Sequence, residues 1–201
     1  MFRIDAAAQL AGKSSMMNPE GIKVSTGHNH GGGGTGNDTE DEHDNMPKKK
    51  TSGKFNASSE FKAQLSEVLS SYLLLKDALV ADDENGAKKE AEEMKKAIKN
   101  TDMALLKGDA HMAWMDDMNS LNNSLDAMIS GADIEKTRIA FKGVSKQMTE
   151  IIDQFGLTKS EGLYLEYCPM VDAYWISSEN VIRNPYYGSG MLKCGEVVRV
   201  F

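Results

Sequence analysis

The two cysteines of the chain each lie close to a methionine in a stretch that favours a turn. Cys168 is two residues before Met170, and Met191 is three residues before Cys194. Each turn can bring a thiolate and a thioether to one point, which makes four soft sulfur donors available. Soft donors select Cu(I) or Ag(I), whereas a structural zinc site would need more Cys or His. The spacing therefore predicts a site for Cu(I) or Ag(I).

Two other states of the cysteine pair are also compatible with the sequence. In an oxidising compartment, a disulfide between Cys168 and Cys194 would restrict the unfolded chain and contribute about 3–4 kcal/mol. In the third state, both residues are free or buried thiols. Because the same two sulfurs serve as ligands and as disulfide partners, a metal-binding form and an oxidised form can interchange.

Two further groups of donors are secondary candidates for metal binding. Helical spacing places His111, Met115 and Met118 on one face. Alternatively, the two methionines fill gaps in the core and the histidine marks the helix start. The second group consists of three histidines among acidic residues: His28, His30 and His43. They could bind Cu(II) or Zn(II) weakly in a flexible linker. Alternatively, the linker is solvated and binds no ligand.

A stretch near the carboxyl end combines a turn with two tyrosines. Asn184 before Pro185 favours a turn, and Tyr186 and Tyr187 beside Gly188 can pack on a sheet or cover the sulfur site. The stretch is interpreted either as a packed structural corner or as a binding element.

Composition and motifs argue against several functional classes. The sequence has no G-x-S-x-G, no H-E-x-x-H, no P-loop and no dinucleotide fingerprint, so we expect no enzymatic activity. With 23 Lys+Arg against 30 Asp+Glu, the net charge of -7 disfavours nucleic acid as a partner. No stretch approaches the ~20 apolar residues of a membrane span.

The elements that must position these residues follow from periodicity. Beyond Ser58, apolar residues recur at offsets of three and four, which predicts four helices. Short connections between them favour an antiparallel up-and-down bundle. We expect the helices at about 59–80, from a cap at Asp82 or Asp83 to near Asn100, from a cap at Asp109 to Gly131, and from a cap at Asp133 to Gly156.

The last 40 residues have a period of two, which predicts two or three short strands. The predicted fold class is therefore mainly α, a four-helix bundle with a small carboxy-terminal sheet or hairpin that carries the two cysteines (α+β). The expected domains are an upstream tail over residues 1–26, a disordered Gly/His/acidic linker over 27–57, and a folded domain over 58–201.

The run YLEYCPM, followed by AYWISSENVIRNPYYGSGMLKCGEV, resembles a known domain of unknown function. That domain occurs alone or fused to CusB-like periplasmic adaptor (membrane fusion) subunits of copper/silver efflux systems. The resemblance covers about Phe55 to Phe201, and the opening stretch is similar to the end of those adaptors. It carries over the motif positions Cys168, Met170, Trp175, Asn184, Pro185, Tyr186, Tyr187, Gly188, Met191, Cys194 and Gly195.

This resemblance implies a periplasmic location and a role near heavy-metal export, with efflux adaptor or pump components as partners. The amino terminus lacks the apolar core of a secretory signal, and we expect the chain to be the tail of a longer adaptor. Val171 follows Cys-Pro-Met where a related short metal-binding motif has His, which removes one ligand.

Overall fold

The computed structural model describes residues 54–157 and 162–201 of the chain. Predictions for the upstream tail, for most of the linker and for His28, His30 and His43 lie outside this part. Its helices are α1 (Ser59–Val80), α2 (Glu84–Lys99), α3 (Asp109–Ile129) and α4 (Ile134–Phe155). Its strands are β1 (Tyr164–Cys168), β2 (Ala173–Ser177) and β3 (Glu196–Val200).

Three of the four helices begin at a side chain that accepts a hydrogen bond from the first turn. The hydroxyl of Ser58 and the carboxylates of Asp83 and Asp133 cap α1, α2 and α4. The predicted cap at Asp109 is wrong, because α3 already includes this residue and follows Gly108. Gly108 has a φ of 57°, a left-handed conformation, and it provides no side-chain cap.

The helices bury their apolar faces against one another. Each helix contacts the next along the chain, and α4 also contacts α1, α2 and β2. The rings of Phe61, Trp114 and Phe155 pack together, with centroids 5.2–5.9 Å apart, and Phe55 extends this cluster. None of the described helices is long and apolar enough to cross a membrane.

The three strands form one antiparallel sheet in the order β2-β1-β3. Glu166 of β1 stands opposite Trp175 of β2, and Cys168 stands opposite Ala173. A bulge lies between Leu165 and Glu166 where β1 pairs with β3. Of the two cysteines that the sheet was predicted to carry, only Cys168 belongs to a strand, because Cys194 precedes β3 by two residues.

Residues 178–195, between β2 and β3, pack on the face of the sheet that carries Trp175. Tyr186 is buried, and its ring lies edge-on to that of Trp175 and also contacts Phe141 of α4. β1 is therefore covered on both sides, so that Leu165 and Glu166, on opposite faces of the strand, are both buried.

A buried arginine joins this segment to the helices. Arg138 of α4 donates from Nε to the carbonyl of Pro185 (3.1 Å) and from Nη2 to the carbonyl of Leu79 (3.0 Å). The same Nη2 donates to Asp82 Oδ1 (2.5 Å), and Asp82 Oδ2 accepts from the backbone N–H of Ser189 (3.1 Å). The α1–α2 turn, α4 and the segment before β3 are thus held together by one guanidinium group.

Candidate functional site

The structure brings the two cysteines together as free thiols. Cys168 is fully buried at the end of β1, and Cys194 is half-buried in the loop before β3. Their sulfurs lie 3.5 Å apart, well beyond the ~2.05 Å of a disulfide bond. Of the three states compatible with the sequence, the structure presents the reduced pair.

The two thiols differ in their electrostatic environment. Burial opposes ionisation of Cys168, but backbone N–H groups of Val171 and Met170 and the side chains of Cys194 and Asn184 outweigh it, so the pKa of Cys168 is lowered. The hydrogen bond with Cys168, burial and the charge on Cys168 all raise the pKa of Cys194. The first thiolate therefore forms on Cys168, and Cys194 holds its proton as the hydrogen-bond donor.

The two predicted thioether ligands are surface side chains in the turns that adjoin the two cysteines in sequence. Met170, in the β1–β2 turn, is 65% exposed, and Met191, in the loop before Cys194, is 37% exposed. In the described ranges, no three or more His, Cys, Asp or Glu side chains are arranged to hold a metal ion. A metal site here would therefore use the two thiols with thioether donors.

The second predicted group of donors lies on α3. His111 Nδ1 is 3.2 Å from the carbonyl oxygen of Met103, a contact that suits a ring with its proton on Nδ1. Met115 is half-buried, and Met118 packs against the hydrophobic core. All three side chains are half-buried.

The predicted turn motif forms a corner directly around Cys194. Asn184 is fully buried, and its Nδ2 donates to the carbonyl of Cys194 (2.7 Å). Its Oδ1 accepts from the backbone N–H of Tyr186 (2.8 Å). The hydroxyl of Tyr186 donates to the carbonyl of Tyr174 (2.5 Å), and Tyr187 packs against the core.

Two glycines of the motif occupy positions that other residues would not fit. Gly188 has a φ of 52°, and a Cβ there would meet Asp82 and Arg138. Gly195 has a φ of 140°, and a Cβ there would lie 2.7 Å from Trp175 and 2.8 Å from the carbonyl oxygen of Tyr167. Both glycines let the segment carrying Cys194 approach the sheet and the helices closely.

Four buried charged side chains in the described part of the chain were not singled out from the sequence. Burial raises the pKa of Glu166 to about 7, against the opposing charge of Lys76, which is also buried. Burial likewise raises the pKa of Asp117 to about 6, although a hydrogen bond from Gln154 opposes the rise. The fourth is Arg138, whose guanidinium makes the contacts described above.

The free energy of unfolding of the unsubstituted protein is expected to fall as the pH rises from acid to neutral, and the variant Glu166→Gln is expected to lack this fall. The pKa of Glu166 in the folded state, about 7, exceeds its ordinary value of 4.5, so the folded state binds more protons between these values. The free energy of unfolding therefore falls as the pH rises through this window. Between about pH 5 and about pH 8, we expect the unsubstituted protein to lose about 1–3 kcal/mol more than the variant.

Urea unfolding of both proteins at the two pH values measures this difference. Asp117 titrates in both proteins, so its contribution cancels in the comparison. Equal pH dependence in the two proteins would contradict the assignment to Glu166.

Comparison with known families identifies part of the chain. A domain described as protein of unknown function (DUF3347) is found at residues 68–160. The matched part runs from within α1 to just beyond the end of α4, and both cysteines lie after it. No curated protein matches the chain. No solved structure matches it either.

Proposed function

We propose that the reduced pair of Cys168 and Cys194 binds one Cu(I) or Ag(I) ion. The observation that carries the proposal is the 3.5 Å separation of the two sulfurs. Met170 and Met191, two and three residues from the cysteines in sequence, are exposed. Thiolates and thioethers are the donors that soft monovalent cations prefer.

The separation of the sulfurs favours a site with more than two ligands. With metal–thiolate bonds of about 2.3 Å, two sulfurs 3.5 Å apart subtend an angle of about 100° at the metal. This angle is far from the linear arrangement of a two-coordinate ion and close to that of a three- or four-coordinate one. Met170 and Met191 supply the additional donors in this proposal.

The protonation states suit this chemistry. The lowered pKa of Cys168 makes the first thiolate available, whereas Cys194 gives up its proton when the metal arrives. Binding therefore releases protons and strengthens as the pH rises.

The resemblance to domains fused to periplasmic adaptors supports a cellular setting for this site. We place the chain in the periplasm as a non-enzymatic accessory domain of a copper/silver efflux adaptor, which passes the ion to the pump or senses it. In this proposal the four helices form an antiparallel bundle that docks on the adaptor or pump components, and the segment with the two thiols lies at its carboxy-terminal side.

An anaerobic titration of the reduced 201-residue chain with Cu(I), against a competing chelator, tests the proposal. We expect one ion per chain, with binding lost in the variant Cys168→Ser, Cys194→Ser. The variant Met170→Leu, Met191→Leu should bind more weakly. Met112→Leu is the matched control, because Met112 is similarly exposed but lies on α3, and it should bind as the unsubstituted chain does. Equal Cu(I) binding by the unsubstituted chain and the double cysteine variant would refute the proposal.

The same sulfur separation supports a second candidate function. A disulfide between Cys168 and Cys194 would staple a protein-interaction module that binds no metal. Mass spectrometry of protein exported to the periplasm distinguishes the two, because a bridge removes two hydrogens and leaves no cysteine for alkylation. If the exported protein has the mass of the chain with two free thiols and both cysteines can be alkylated, this alternative is excluded.

A further inference from the structure

We propose that Asn184 is the residue that positions Cys194 against Cys168, so that the two thiols are preorganised as a pair. This inference deepens the proposed function and rests on it, because only the proposed function makes the thiol pair a metal site. Its test measures the pairing of the thiols and uses no metal.

Asn184 is fully buried, and all its polar groups have backbone partners. Its N–H donates to the carbonyl of Leu192 (2.8 Å), and its own carbonyl accepts from the N–H of Gly188 (3.0 Å). The side-chain amide donates to the carbonyl of Cys194 and accepts from the N–H of Tyr186. These partners fix which side-chain atom is nitrogen, since one neighbour can only accept and the other can only donate.

The two ends of the thiol pair are held very differently. Cys168 belongs to the central strand, which is paired on both sides. Cys194 lies outside any strand, and its own N–H donates to the carbonyl of Met191 three residues earlier. The bond from Asn184 to the Cys194 carbonyl is thus the side-chain link that ties this residue to the buried corner.

Exchange with glutathione reports how well the thiols are paired. Cys168 is fully buried, so the half-buried Cys194 is the sulfur that oxidised glutathione can reach. Cys194 gives up its proton to solvent, attacks oxidised glutathione, forms a mixed disulfide and releases one glutathione thiolate. The thiolate of Cys168 then attacks the Cys194 sulfur, forms the protein disulfide and releases the second glutathione thiolate. The protein loses two electrons, oxidised glutathione gains them, and the two thiol protons pass to the products. The equilibrium constant is the effective concentration of one thiol at the other.

Three variants separate positioning from general loop structure. Asn184→Ala removes both side-chain hydrogen bonds. Asn184→Asp retains the acceptor for the N–H of Tyr186 but lacks the N–H donor for the Cys194 carbonyl. Tyr186→Phe is the control, because it removes a different hydrogen bond of the same corner, to the carbonyl of Tyr174.

We expect the effective concentration to fall about tenfold or more in Asn184→Ala and Asn184→Asp, as suits the loss of a buried hydrogen bond. Tyr186→Phe should stay within about twofold of the unsubstituted protein in effective concentration.

Several results would overturn the proposal. An unchanged effective concentration in both Asn184 variants would exclude the positioning role. An equal fall of the effective concentration in Tyr186→Phe would show that any disturbance of the corner separates the thiols, which would contradict a specific role for Asn184. Failure of both Asn184 variants to fold, seen by circular dichroism, would make the residue a general structural one. If the thiols pair as expected but Cu(I) does not bind, the proposed function fails while this inference stands.

Discussion

Replacing Arg138 by Met is expected to lower the free energy of unfolding by about 2–4 kcal/mol, because it removes a buried guanidinium that donates to two backbone carbonyls and to the exposed carboxylate of Asp82. The carbonyls of Leu79 and Pro185 and the carboxylate of Asp82 each lose a hydrogen bond from the guanidinium. The Leu79 carbonyl still accepts from the N–H of Asp82, and Asp82 still accepts from the N–H of Ser189, so the buried carbonyl of Pro185 suffers most. A methionine retains much of the apolar stem, so the loss measures the guanidinium group. Typical domains have only about 5–15 kcal/mol of stability, so this substitution removes a large fraction.

The neighbouring carboxylate indicates how tightly this contact is made. The pKa of Asp82 is lowered to about 2 by hydrogen bonds from Ser189 and Arg138. We therefore expect the contact to persist across the neutral range and to weaken only in strong acid, as the carboxylate is protonated.

Arg183→Met is the matched control for Arg138→Met. The side chain of Arg183 is 42% exposed, and its guanidinium lies 3.7 Å from the exposed carboxylate of Glu179. Exposed ion pairs contribute about 0–1 kcal/mol, so this variant should unfold almost like the unsubstituted protein. Urea unfolding followed by circular dichroism measures both. A loss below about 1 kcal/mol for Arg138→Met would refute the role assigned to the arginine.

Replacing Gly195 by Ala is expected to cost about 2–4 kcal/mol and to expose Cys168. The φ of 140° is strained for any residue with a Cβ, and the added atom would meet the buried ring of Trp175 and the backbone of Tyr167. Neither neighbour is the flexible end of a side chain, so the loop must move away from the sheet. Cys194 precedes Gly195 directly and must move with it.

Gly190→Ala is the control for this prediction, because a Cβ there meets no atom within 4 Å. Its stability should change by about 0.5 kcal/mol or less. Thermal unfolding gives the stability, and the rate of alkylation of Cys168 by a small reagent gives its exposure. An alkylation rate in Gly195→Ala equal to that of the control would contradict the predicted displacement of the loop.

The helices were the most predictable part of the fold. Their apolar residues recur with the helical period, and Ser, Asp and Gly mark several of the ends, so α1 agrees with its predicted bounds. The third cap failed because a glycine with positive φ performs the turn in place of an Asp side chain. A sequence pattern identifies side-chain caps more readily than backbone conformation.

The candidate site was predictable in its members but not in its surroundings. The two cysteines and the Asn184 corner were identified from residue type and spacing, and the structure brings them together. The burial of Glu166 was not predicted, because strand alternation assigns it to the face opposite Leu165 and the pattern does not show that residues 178–195 cover that face as well. The buried position of Arg138 likewise depends on acceptors 47 and 59 residues away in the sequence.

β1 pairs with one strand that is close to it in sequence and with one that is distant in sequence, and this arrangement implies an order of folding events. β2 follows β1 after residues 169–172 alone, whereas β3 follows only after residues 169–195. Closing the shorter loop costs less entropy, so we expect the β1–β2 hairpin to form first and β3 to dock late. Because Cys194 stands just before β3, the two thiols meet only in this late step. A newly made chain thus passes through a stage in which Cys168 already lies in a hairpin without its partner, and an oxidant or metal ion that arrives then encounters a single thiol.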